Sequence, residues 1–188
     1  MIQGKQVYLR GLERDDLKLL HTMMNDEEVM MWARSRPDTT ISMEELEKEY
    51  DAELKGDTSR RRTFLVIHRA TRKPIGWATI RWWRPGHTTA DIGIALSDKG
   101  FRGKGIGSEV NLLLVKLAFE QYNMHKVELW TRGDNPAAIG SAQKNGFKIE
   151  GRIRETVYFD GSFHDGVMMG LLREEYEKAR RAAGRGRS

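Results

Sequence analysis

The stretch "TADIGIALSDKGFRGKGIGSEV" (residues 89–110) decides the fold. Its first part alternates. Ile92, Ile94 and Leu96 fall on one face of an extended chain, and Asp91, Gly93 and Ala95 fall on the other. Its last part opens a helical stripe of Ile106, Val110, Leu113, Leu114 and Leu117, within a helix expected over 106–122. Between strand and helix stand Gly103, Gly105 and Gly107, with the cations Arg102 and Lys104. The first amides of a helix have no internal partner, and its dipole is positive at that end. Glycines let an anion approach the backbone, so "RGKGIG" (102–107) reads as a cradle for a pyrophosphate. The Gly-Lys-Ser/Thr ending of a P-loop is missing, and the spacing is not that of a dinucleotide fingerprint. Glycine spacing alone leaves a phosphate site and a plain tight turn both open.

Working outward, "QVYLR" (6–10) reads as a first strand and "RDDLKLLHTMMND" (14–26) as a helix. "ISMEELEKEYDAEL" (41–54) is a second helix, with Ser42 and Glu45 as a capping box and Met43, Leu46, Tyr50 and Leu54 on one face. "TFLVIHR" and "IGWATIRWW" form a hairpin around "ATRKP", and "SRRRTF" (59–64) reads as a solvated loop before a strand. Trp77, Trp82 and Trp83 are expected in core or edge packing. After the long helix come a strand, "HKVELWTR" (125–132), and a helix, "NPAAIGSAQKNGF" (135–147), started by Pro136 and stopped by Gly146. A last hairpin turns at Asp160-Gly161. The order predicts an α/β (α+β) protein with a mixed, mainly antiparallel sheet of about seven strands flanked by helices.

The chain has 188 residues, 39% hydrophobic and 31% charged, which suits one soluble domain. We expect that domain over 1–177, followed by a frayed basic tail, "KARRAAGRGRS" (178–188). No apolar run approaches the roughly 20 residues that a bilayer needs, and the N-terminus lacks the apolar core of a signal peptide. No membrane partner and a cytoplasmic location are the expectations. There are no cysteines, which excludes thiolate nucleophiles and cysteine-ligated zinc. Histidines 21, 68, 87, 125 and 164 show no ligand spacing, so no metal is expected. The net charge of +5 is modest, and acids outnumber bases strongly from Asn25 to Asp57. A nucleic-acid face is not built that way, so no nucleic-acid partner is expected.

Arg102-x-x-Gly105-x-Gly107, between a strand and a helix, resembles the acyl-CoA signature of the GNAT (GCN5-related) N-acetyltransferases. "NPAAIGSAQKNGF" resembles that family's later helix, and "ADIGIAL" its splayed strand. The resemblance runs from "VYLRGLERDDL" to "GVMMGLLREEY", and these ends look most like the branch of ribosomal-protein and spermidine acetyltransferases. It implies the acyl-CoA N-acyltransferase fold and acetyl-CoA as co-substrate. The backbone of Arg102, Gly103, Lys104, Gly105, Ile106 and Gly107 would hold the pyrophosphate. Ile94, Ala95 and Leu96 would pair with the pantetheine arm, and Asn135, Ala138 and Ser141 would approach the cofactor from the later helix. The resemblance also leaves room for a homodimer.

Direct transfer of an acetyl group to an amine needs a base, polarisation of the carbonyl and sometimes an acid for the thiolate. Asp91 is the candidate base, through a water. The family's frequent tyrosine acid falls at Ala142, a departure, and Ser141 beside it is the candidate donor. Tyr158 and Tyr122 are weaker ones. The acidic segment forms one wall of the acceptor site in this family. A negative wall suits a small cationic amine such as a polyamine, or a peptide N-terminus. A non-catalytic acyl-CoA sensor and an aminoglycoside acetyltransferase are the alternatives.

Overall fold

The computed structural model describes residues 1–33, 40–56, 60–82 and 88–185. Trp83 and His87 lie outside them. Eight strands form one sheet: β1 (Ile2–Gln3), β2 (Val7–Gly11), β3 (Arg60–His68), β4 (Pro74–Trp82), β5 (Thr89–Leu96), β6 (Lys126–Arg132), β7 (Lys148–Phe159) and β8 (Ser162–Leu172). The order is β1-β2-β3-β4-β5-β6-β8-β7. Every neighbouring pair is antiparallel except β5 and β6. The sheet is therefore mixed and mainly antiparallel, as expected, with the two-residue β1 as the added strand. Arg61 and Arg62, read as loop, belong to β3.

The alternation of β5 separates two cores. Ala90 and Ile92 pack with α4 (Ile106–Lys116) and α5 (Pro136–Lys144) on one face. Ala95 packs on the other face with Trp77 and the buried sides of α1 (Leu17–Met24), α2 (Glu27–Ala33) and α3 (Met43–Lys55). The expected stripe of α4 is buried throughout, and a π-helical turn, Leu117–Gln121, ends it.

Local chemistry explains the boundaries. Glu45 donates its amide to Ser42 Oγ at 3.1 Å, and Ser42 donates its own to Glu45 at 2.8 Å, which closes the capping box of α3. Asp160 and Gly161 both have positive φ, 48° and 74°, as a two-residue hairpin turn with primed geometry requires. The helix expected over 14–26 is instead a 3-10 turn plus α1, and a new helix, α2, begins at Glu27. Asn25 breaks it, because its side chain bonds both backbone groups of Ile41 at 2.9 Å. Asp26 then caps α2 by accepting from the Val29 amide at 3.0 Å.

The C-terminal region corrects the expectation of a frayed tail from residue 178. A helix, α6, runs over Arg173–Arg185, so the boundary at 177 falls inside it. Tyr176 stacks on Phe119 at 5.1 Å and donates its hydroxyl to Glu120. Burial and that carboxylate push its phenol up to about 12.

Gly76 shows how tightly β4 meets β5. A Cβ there would stand 2.1 Å from the Ala95 carbonyl oxygen, a backbone atom that cannot swing away. Gly76→Ala is expected to cost about 2–3 kcal/mol and to lower Tm by about 4–12 °C. Gly11→Ala, whose Cβ would meet nothing within 4 Å, serves as the control in the same thermal melts.

Candidate functional site

The two parallel strands part early. β5 pairs with β6 only from Thr89–Lys126 to Asp91–Glu128. Beyond that rung β5 stays on β4 to Leu96, while β6 stays on β8 to Arg132. A gap opens between them in the middle of the sheet. The Ser97 amide donates to Ile75 O at 2.9 Å, which fixes the parity of the β4–β5 ladder. By alternation, Ala95 spends its backbone groups on β4, and Ile94 and Leu96 turn theirs toward the gap. Sequence reasoning took all three residues as one edge, and in the ladder Ile94 and Leu96 are the ones whose backbone groups face away from β4.

The loop after β5 leads straight from this gap to α4. Asp98 caps a 3-10 turn, Lys99–Phe101, by accepting from the Gly100 amide at 2.9 Å. Gly103 and Gly105 follow with φ of 73° and 80°. At both, an added Cβ would meet nothing within 4 Å, so the glycines answer to backbone handedness and leave open space above the turn. Among the described residues, no backbone N–H from Gly103 to Ser108 has a hydrogen-bond acceptor. These amides stand at the N-terminus of α4, where an anion is favoured. Ile106, fully buried, anchors the turn in the core, and Lys104 lies over the Phe101 ring at 5.7 Å. Arg102 is more constrained than a cation simply aimed at an anion. Its Nε and Nη2 donate to Leu96 O at 3.3 and 3.2 Å, and its Nη1 reaches Glu28 of α2 at 3.3 Å.

The later helix docks on this turn through polar groups. Asn135 caps α5, accepting from the Ala138 amide at 3.1 Å. Ser141 lies against Gly107, whose added Cβ would come within 3.6 Å of the Ser141 hydroxyl. That hydroxyl accepts from Asn111 Nδ2 at 3.0 Å, which leaves its own proton to donate. Asn145 adds a bond to Ser108 O at 2.8 Å. Ala142 is fully buried in the core.

Asp91 sits at the last rung before the strands part, on the α1–α3 face. Arg81 Nε donates to its carboxylate at 2.6 Å, and Glu128 is its register partner on β6. Burial pushes the Asp91 carboxyl above the ordinary aspartate range. Arg81 opposes that by charge and hydrogen bond, Glu128 adds to it, and burial prevails. The shift moves this group toward the range of a general base. Of the tyrosines, Tyr158 is exposed beside Phe163, and Tyr122 packs on Trp82 at 4.9 Å.

Much of the acidic excess is already paired. Glu49 meets Arg61 at 2.9 Å, Asp51 meets Arg14, and Glu53 accepts from the Thr63 amide at 2.7 Å. Sequence reasoning missed two residues beside the gap. Glu28 pairs with Lys99 and Arg102 of the cradle loop. Arg132, at the end of β6, is buried, chelates Asp134 at 2.6 and 2.9 Å and stacks over Trp32 and Phe159. Local sequence offers at most the nearby Asp134 for Arg132, since the other partners of both residues lie far away in sequence.

Comparison with known proteins agrees with this geometry. Residues 6–148 match the family model of the acetyltransferase (GNAT) domain. The chain is 28% identical over 173 residues to a spermidine N(1)-acetyltransferase of Vibrio cholerae serotype O1, covering 92% of this chain and 96% of that protein. It is 25% identical over 177 residues to the Escherichia coli K12 spermidine N(1)-acetyltransferase, covering 94% and 91%. The crystal structure of the Vibrio cholerae spermidine N-acetyltransferase with CoA and spermine matches with a TM-score of 0.82 and 26% identity, covering 92% of this chain and 98% of that one.

Proposed function

The chain belongs to the GNAT acetyltransferase family, an acetyl-CoA-dependent N-acetyltransferase by that membership, and from this premise we propose that its acceptor is a cationic amine of the polyamine class. The observation that carries the proposal is the extent of the likeness: it spans nearly the whole length of relatives named as spermidine acetyltransferases.

Acetyl-CoA supplies an activated acetyl thioester. The chain's own residues do the rest. The amides of Gly103 to Gly107 and the α4 dipole hold the pyrophosphate, with Arg102 and Lys104 adding charge. Ile94 and Leu96 offer backbone groups to the pantetheine arm at the gap, and Asn135 and Ala138 flank it from α5. Asp91 takes the proton from the acceptor ammonium, directly or through a water, while Arg81 orients its carboxylate. Ser141, which lies against Gly107 at the pyrophosphate end, keeps a hydroxyl proton to donate there, and Ala142 supplies no acid for the departing sulfur.

The test is acetylation by the full-length protein, read by mass spectrometry and thiol release, with spermidine, spermine, a basic peptide and an aminoglycoside as acceptors. Spermidine or spermine is expected to give the highest kcat/KM. Its KM is expected to rise several-fold between about 0.02 and 0.5 M salt, as exposed charges are screened. A peptide or aminoglycoside preferred tenfold or more would reject the polyamine reading.

A further inference from the structure

Helix α2 ties the two flanks of the gap together. On the β5 side, Glu28 forms ion pairs with Lys99 and with Arg102 Nη1, both in the loop that leads into the cradle. On the β6 side, Arg132 Nη1 donates to Met31 O at 3.3 Å, and its guanidinium lies 4.9 Å from the Trp32 ring. Between these ends Val29 is buried in the cluster of Trp77 and Ala95. A carboxylate on the acceptor side therefore holds two cations that belong to the cofactor side.

That arrangement sets up a competition. A half-exposed ion pair is worth about 0–1 kcal/mol. A diphosphate on the free amides of a helix N-terminus gathers several charge-assisted bonds and outbids it. Arg102 needs little movement to change partner. Its Nε and Nη2 stay on Leu96 O, and only Nη1 must leave Glu28.

We infer that Glu28 is a shared carboxylate that couples the two sites: a diphosphate in the cradle draws Lys99 and Arg102 away, and the released Glu28 then holds the cationic acceptor. This rests on the reading of 102–107 as the pyrophosphate site and of the acceptor as a cation. Coupling of this kind is reciprocal, so each ligand tightens the other by the same factor.

Calorimetry on the full-length protein at low salt tests it, with coenzyme A and spermidine titrated separately and together. The parent is expected to bind spermidine at least about fivefold tighter when saturated with coenzyme A. Glu28→Gln is expected to bind coenzyme A several-fold tighter than the parent, because nothing competes for the cations. In the same variant spermidine affinity no longer depends on coenzyme A. Glu28→Asp keeps the charge and is expected to keep coupling, which separates the charge from any loosening of α2. If Glu28→Gln weakens coenzyme A binding, Glu28 is only a brace and the inference falls. It falls as well if the parent binds both ligands independently, or binds coenzyme A and no spermidine, while the cradle stands. A parent that binds no coenzyme A overturns the cradle and the coupling together.

Discussion

Gly105→Glu is expected to abolish coenzyme A binding while the protein stays folded. Gly105 has φ of 80°, so any side chain there carries strain of about 1–2 kcal/mol. That is a small part of a typical stability of about 5–15 kcal/mol. The position is open, and a new side chain extends into the space above the turn. There its carboxylate meets the unpartnered amides at the start of α4 and fills the cradle with an anion of its own. Affinity for coenzyme A should fall more than about 100-fold, which is about 2.8 kcal/mol. Gly105→Ala separates strain from charge. Both variants should lose a similar few degrees of Tm, about 2–8 °C, but alanine should keep most of the binding. Calorimetry and thermal melts check both. Undiminished binding by Gly105→Glu would mean the glycines make only a turn.

Asp91→Asn is expected to lower kcat/KM by about 10²–10⁴ without lowering Tm. The two effects have one physical source. Burial holds the Asp91 carboxyl above its ordinary range, so the folded state binds its proton more tightly than the unfolded state does. Stability linked to it is fully present below the unfolded pKa and lost as pH rises through the folded pKa. Once ionised, the group therefore burdens the fold, and asparagine removes that burden. Arg81 loses a partner, but its side chain is 43% exposed and keeps access to water, so that loss is small. The acid limb of the kcat/KM profile, which reports ionisation of the base, should vanish in the variant. A lowered Tm with activity intact would make Asp91 a structural partner of Arg81 and nothing more.

Local patterns carried the readings that succeeded. The alternation of 89–96, the stripe of α4, the capping box at Ser42 and the turn at Asp160-Gly161 depend on residues close in sequence. They hold in the structure. The gap itself could not be read that way. It arises because β5 and β6 run parallel for three rungs and then follow different antiparallel neighbours. The break between α1 and α2 depends on Asn25 reaching Ile41, a tertiary contact that overrides helical spacing. Helix α6 escaped notice because eight of its thirteen residues are charged, and among the described residues Tyr176 is its one buried side chain. Arg102 shows the same limit at the site. Its place in the motif was legible, but its bonds to Leu96 and Glu28 were not.

The most direct measurement is a crystal structure of the protein with coenzyme A. The pantetheine arm should lie in the gap between β5 and β6, on the backbone of Ile94 and Leu96, with the pyrophosphate on the amides of Gly103 to Gly107. Coenzyme A seated elsewhere, or held at the turn with its arm outside the gap, would contradict the assignment of this site.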